Sequence, residues 1–99
     1  MKINYDHSVD AKYVTLKEGL RVVETKSVND WLLVDFDANG VPVGVEILEA
    51  TKNHVQIVLD DNSLLLRAAS SASDNTQEPM FKKRFDTLKQ QFANLKSVA

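Results

Sequence analysis

Cysteine is absent from the 99 residues. That removes disulfides, thiolate metal ligands and cysteine nucleophiles together, and it gives an oxidising compartment no support. With only three glycines, the chain contains no Gly-rich phosphate loop. A nucleophile elbow and a metal-binding pair of histidines are missing too, since His7 and His54 lie far apart and read as surface residues. No apolar run approaches the ~18 residues that span a bilayer. The start, Met1-Lys2-Ile3-Asn4-Tyr5-Asp6, turns polar at once, unlike a signal peptide. The expected location is the cytoplasm, with no membrane contact.

What is present is ordinary globular composition, 43% hydrophobic and 26% charged, in a length that suits one domain. A domain this small buries only roughly 60 to 65% of the surface its unfolded chain exposes, so a homodimer is expected. The net charge of -2 is unevenly spread. Between positions 29 and 63 seven carboxylates face the single cation Lys52, whereas from Met80 onward five cations face the single acid Asp86. Each half could steer a different partner.

The first two thirds show short alternations of Val, Ile, Leu and aromatics with polar residues, broken by Asp, Asn, Gly and Ser. That period of two predicts antiparallel strands over 2–5, 11–16, 20–28, 31–36 and 41–48. Asp37-Ala38-Asn39-Gly40 reads as a hairpin loop, Gly40 or Asn39 supplying a positive φ. The expected register sets Phe36 against Val41, Val34 against Val43 and Leu32 against Val45. The opposite face then carries Trp31, Leu33 and Asp35 against Glu46, Gly44 and Pro42. A second hairpin over 54–59 and 64–68 places Val55, Ile57, Leu59, Leu64, Leu66 and Ala68 on one face, although 54–68 could also be partly helical.

Positions 69–79 offer no large apolar side chain and read as a flexible linker. Beyond it Phe81, Phe85, Leu88, Phe92 and Leu95 recur at spacings of four, three, four and three, which predicts an amphipathic helix over 80–97. The expected class is therefore α+β: a β-rich module over 1–68 built as a meander of antiparallel hairpins, the linker over 69–79, and one C-terminal helix.

Tyr5-Asp6, Asp10-Ala11, Tyr13-Val14, Leu16 and Val23-Glu24-Thr25, followed by Val34-Asp35-Phe36-Asp37, Gly40 and the run Val43-Gly44-Val45-Glu46-Ile47-Leu48-Glu49-Ala50-Thr51, resemble the YuzE-like family of small bacterial domains of unknown function. His7 departs from that pattern, which would have proline there. The resemblance covers about residues 1–51 and implies a compact β-rich module with no assigned activity.

Three kinds of chemistry can be read from the residues. Asp35, Asp37, Asn39, Gly40 and Glu46 match the spacing of an EF-hand calcium loop, but the flanks read as strands, so a structural turn is expected and no metal or cofactor. The carboxylates Asp6, Asp10, Asp35, Asp37 and Glu46 could divide acid and base roles, against the plainer reading that they form Asx turns. Lys82, Lys89 and Lys96 repeat every seven residues, with Lys83 and Arg84 beside them, and could contact phosphates.

The leading expectation is a non-enzymatic protein-binding module, antitoxin-like or otherwise inhibitory. It would dock the stripe Phe81, Phe85, Leu88, Phe92 and Leu95 on another protein or on a second copy. The alternative is an enzyme or small-ligand binder with a pocket between subunits near Trp31, Asp35 and Glu46. The third is a regulator that contacts nucleic acid through the basic helix.

Overall fold

The computed structural model describes residues 1–68 and 79–85, and these form eight strands in two antiparallel sheets. The strands are β1 (Lys2–Asp6), β2 (Ala11–Thr15), β3 (Glu24–Asn29), β4 (Leu32–Phe36), β5 (Pro42–Leu48), β6 (Val55–Leu59), β7 (Ser63–Ala68) and β8 (Pro79–Arg84). The larger sheet has the order β1-β2-β5-β4-β3 and the smaller β6-β7-β8. Among the described residues no helix is long and apolar enough to cross a membrane.

The larger sheet is more than a meander, because β5 folds back between β4 and β2 and pairs with both. This brings Val14, Val45 and Val34 into one row across three strands, and all three are buried. The register of β4 on β5 differs from the expected one by two residues: Leu32 faces Ile47 and Val34 faces Val45. The turn closes one residue further in, where Asp37 N–H donates to Val41 O at 3.0 Å, and the register then shifts between Asp35 and Phe36, so that Val43 becomes the extra residue of a bulge. Gly40 has φ 77°, the left-handed residue that closes the Asp37 turn.

The second hairpin has the expected register, with Val55 opposite Ala68, Ile57 opposite Leu66 and Leu59 opposite Leu64. Beyond that hairpin the structure overturns the expected class. The protein is all-β among the described residues, and the expected helix over 80–97 begins instead as β8, with Pro79 in the strand and Met80 to Arg84 paired along β7. The physical reason lies in the alternation of 81, 83 and 85 with 82 and 84. Phe81 and Lys83 stand opposite Leu66 and Leu64 on the inner face, and Phe85 continues inward to 8% exposure, while Lys82 and Arg84 are exposed. Positions 69–78 of the expected linker and 86–97 of the expected helix lie outside the described residues.

Leu64, Leu66 and Phe85 pack with Leu32, Val34, Phe36, Val45 and Ile47 in one hydrophobic cluster, so the two sheets share a core. Phe36 sits at its centre. Phe81 lies 6.3 Å from it between ring centroids, and the Lys83 ammonium stands 4.3 Å above the same ring.

Candidate functional site

The two ends of the larger sheet's inner face are finished differently. At β3 the inner positions opposite Phe36 and Val34 are Glu24 and Lys26, which pair with each other at 3.8 Å and remain exposed, while Val28 at the bulge packs on the core. At β1 the inner positions are Ile3 and Tyr5, opposite Val14 and Lys12. β1 contributes no buried side chain, and Ile3 is 64% exposed. Among the described residues the smaller sheet ends at β6 and nothing covers this apolar end. The result is a groove of about 260 Å³ floored by Ile3, Lys12, Val14 and Ile47 and walled by His54, Val55 and Ile57, with Met1 and Asn53 at its rims. A second concavity, lined by Tyr5, His7, Lys12, Ala50 and Thr51, shares Lys12 with the first.

The fold beneath this end is tied by Asp10. Its φ is 51°, its carbonyl accepts Ala50 N–H at 2.9 Å, and its carboxylate accepts the Tyr5 hydroxyl at 2.6 Å and the Thr51 hydroxyl at 2.7 Å. The hydrogen bond from Tyr5, then that from Thr51, hold the Asp10 carboxyl below the ordinary aspartate range. The same bond to Asp10 pushes the Tyr5 phenol up. His7 meets the Tyr5 ring edge-on at 4.5 Å.

On the outer face of the larger sheet Tyr13 reaches from β2 across Gly44 of β5 to β4, where its hydroxyl donates to Asp35 Oδ2 at 2.8 Å. Thr25 of β3 donates to Asp35 Oδ1 at 2.5 Å. Burial first, then the Asp35 bond, push the Tyr13 phenol far up, so it stays protonated as a donor. Both Asp35 oxygens are thereby engaged in holding four strands in register. That is a structural role.

Of the pocket expected between subunits, Asp35 and Glu46 share the outer face beside Tyr13, whereas Trp31 lies apart from them in the β3–β4 turn. Trp31 packs against the core, and Glu46 stands between Tyr13 and Leu33 beside a shallow concavity that includes neither Trp31 nor Asp35. The EF-hand spacing also resolves into a turn, where Asp37 Oδ1 accepts the amides of Asn39 and Val41, each at 2.9 Å. Among the described residues no group of three or more His, Asp or Glu side chains could hold a metal ion.

The expected docking stripe falls only partly within the described residues. Phe85 is buried and Phe81, partly buried, packs on Phe36, while Leu88, Phe92 and Leu95 lie outside the described residues. Of the basic row, Lys82 is exposed on β8, where it lines an open cleft with Arg84, Asp60 and Asp61, and Lys89 and Lys96 lie outside the described residues. In that cleft the amide of Asn62 and the hydroxyl of Ser63 lower the Asp60 carboxyl.

The comparisons with known proteins fall on the larger sheet. Residues 2–50 match the family described as Protein of unknown function (DUF2283). A curated relative, the Uncharacterized protein MJ0789 of Methanocaldococcus jannaschii, is 44% identical over 52 residues, 52% of this chain and 43% of that protein. The chain thus spans less than half the length of the curated relative it matches. No solved structure matches significantly. The family match contains β1 to β5 whole and none of β6 to β8. The groove therefore has its floor inside the matched segment and its wall outside it.

Sequence reasoning missed Ile3, Lys12, Val55 and Ile57 as a common surface. The signal was available in the contrast between charged Glu24 and Lys26 on one end strand and apolar Ile3 and Tyr5 on the other, but it becomes readable only once the strand order is known.

Proposed function

We propose that the chain is a non-enzymatic protein-binding module whose binding surface is the groove between β1 and β6. The observation that carries this reading is the exposed apolar end of the inner face, Ile3 above all, next to a strand edge that no described residue pairs. Contiguous exposed apolar surface rimmed by polar groups is the usual mark of an interaction site. We infer further that the matched family is the YuzE-like one, since nearly all of the residues that carry that resemblance lie within 2–50. The module would then be the five-stranded sheet, and β6 to β8 the part that shapes what it binds.

The test is affinity capture from the native host with three baits: the wild-type chain, Ile3→Glu in the groove, and Val22→Glu at an exposed apolar position between β2 and β3. A specific partner should be lost with Ile3→Glu and kept with Val22→Glu. Equal loss or equal retention in the two variants would rule the groove out as the binding surface.

A further inference from the structure

The groove has the form of a vacant strand position. Neighbouring strands in a sheet lie about 4.8 Å apart. The smaller sheet stops at β6, while β2 and β1 of the larger sheet continue beneath the space beside it. The backbone of β6 is turned toward that space. Asp60 N–H donates to Ser63 O at 3.0 Å, and pairs alternate between bonded and non-bonded along an antiparallel ladder. Val58 and Gln56 therefore bond to β7, whereas the N–H and C=O groups of Val55, Ile57 and Leu59 point away from it.

Edge strands in soluble proteins are normally guarded by charge, proline or a bulge. β3 carries Glu24, Lys26 and a register shift between Ser27 and Asn29. β8 carries Pro79, three consecutive cations and a shift against β7. β1 has Lys2 and Asp6 at its ends. β6 reads Val-Gln-Ile-Val-Leu, with no charge, no proline and no register shift. Among the described residues it is the unguarded edge, and it is the one beside the apolar floor.

From this we infer that the groove takes an extended strand of a partner polypeptide, added to β6, with apolar side chains on alternate positions over Ile3 and Ile57 and an acidic side chain at Lys12. The inference rests on the protein-binding reading and specifies the chemistry of its partner. Lys12 supplies the charge argument. It lies on the inner face between Tyr5 and Ile47 and makes no ion pair among the described residues; no described carboxylate lines either of the two concavities it shares, while Asp6 and Glu46 line with it the shallow one on the outer face. A second copy does not suit the position. Paired with its own copy, β6 itself would bring no carboxylate to Lys12, because its five residues carry no charge.

The experiment uses the full chain and a nine-residue probe peptide, Val-Thr-Val-Thr-Asp-Thr-Val-Thr-Val, whose Val and Asp side chains share one face. Two control peptides carry Lys in place of Asp, or N-methyl groups on alternate amides. Hydrogen exchange should slow at Val55, Ile57 and Leu59 when the first peptide binds, with Gln56 and Val58 unchanged because β7 already protects them. The Lys peptide should bind about tenfold or more weakly, a factor worth ~1.4 kcal/mol. Lys12→Glu should reverse that preference and Lys12→Gln abolish it, the protection of β7 amides reporting that each variant is folded. The N-methylated peptide should not bind.

Equal binding of the N-methylated peptide, or no preference between Asp and Lys, would overturn the added strand. So would protection of Val55, Ile57 and Leu59 without peptide in a chain that light scattering shows to be a dimer, since a second copy would then own the groove. If no peptide protects β6 while Ile3→Glu still abolishes partner capture, the strand chemistry fails and the protein-binding reading survives.

Discussion

The ring of Tyr13 lies across Gly44 and delivers its hydroxyl to Asp35, two strands away from its own. A Cβ on residue 44 would run into the Tyr13 hydroxyl and Cζ and would stand 2.8 Å from Cε1. Gly44 is therefore required by a side chain that shares its face, whatever its own backbone would tolerate. Gly44→Ala should destabilise the domain by about 1 to 3 kcal/mol, the usual cost of overpacking. In a Tyr13→Ala background the same change should cost little, because the two sites are coupled. Chemical denaturation of the four proteins of that cycle measures the coupling. A tyrosine titration gives a second readout, since Gly44→Ala should bring the raised Tyr13 ionisation back toward 10.0.

Asp10 links acid stability to the start of β2. Its carboxyl is lowered in the folded chain from the ordinary 3.8 by the hydroxyls of Tyr5 and Thr51. A lowered folded value means that its contribution is complete above the ordinary value and is lost as pH falls through the folded one. Asp10→Asn should therefore lower the midpoint of thermal unfolding at pH 6, and the gap to wild type should close as pH drops below about 3.8. Tyr5 has the opposite sign. Its raised phenol stabilises the fold below 10.0, and that contribution fades as pH rises through the folded value. Melting curves from pH 2 to pH 11 on wild type, Asp10→Asn and Tyr5→Phe test both limbs.

The Asp37 turn is a third place where one residue decides local geometry. Gly40, at φ 77°, closes a turn whose carboxylate accepts the amides of Asn39 and Val41. Gly40→Ala should cost about 1 to 2 kcal/mol from the left-handed backbone alone. Asp37→Ala should cost about 1 to 3 kcal/mol, because it strips acceptors from amides beside a carboxylate only 7% exposed. Calcium at millimolar concentration should leave both the melting temperature and the amide spectrum unchanged. Saturable shifts confined to Asp35, Asp37, Asn39 and Glu46 would contradict the turn assignment.

How far the sequence could be read depended on whether one period of hydrophobicity ruled a segment. β4, β5 and the β6–β7 hairpin carry an apolar residue at every second position, so their inward faces were legible, as were the positions of β1 and β2. The β4–β5 register was not, because the bulge at Val43 consumes a residue that no local pattern marks. The contact between Tyr13 and Asp35 needs the β2–β5 pairing, a long-range event that neither strand encodes alone. In the C-terminal part the local signal was ambiguous. Phe81 and Phe85 are four apart, a spacing that satisfies a strand of period two as well as a helix of period 3.6. The helical reading came from Leu88, Phe92 and Leu95, which lie outside the described residues. What decided β8 was the need of Leu64 and Leu66 for a cover and of β7 for a second partner, and both are tertiary.

That need makes the last prediction, which concerns β8 as part of the core. Phe85 is 8% exposed, its N–H donates to Asn62 O at 2.8 Å, and Lys17 stands 5.3 Å over its ring. Phe85→Ala should cost about 3 to 5 kcal/mol, the range for a buried phenylalanine. That is a large part of the about 5 to 15 kcal/mol by which whole domains are stable. A chain ending at Ala68 loses the strand altogether, leaving Leu64 and Leu66 without Phe81 and Phe85 against them and the outer edge of β7 unpaired. It should fail to unfold cooperatively and should aggregate, whereas Lys82→Ala, on the exposed side of the same strand, should change stability by less than about 0.5 kcal/mol. Calorimetry of the full chain, Phe85→Ala, Lys82→Ala and the shortened chain separates the cases. A cooperative transition in the shortened chain, near the wild-type midpoint, would show that β1 to β7 are self-sufficient and that β8 only lies against them.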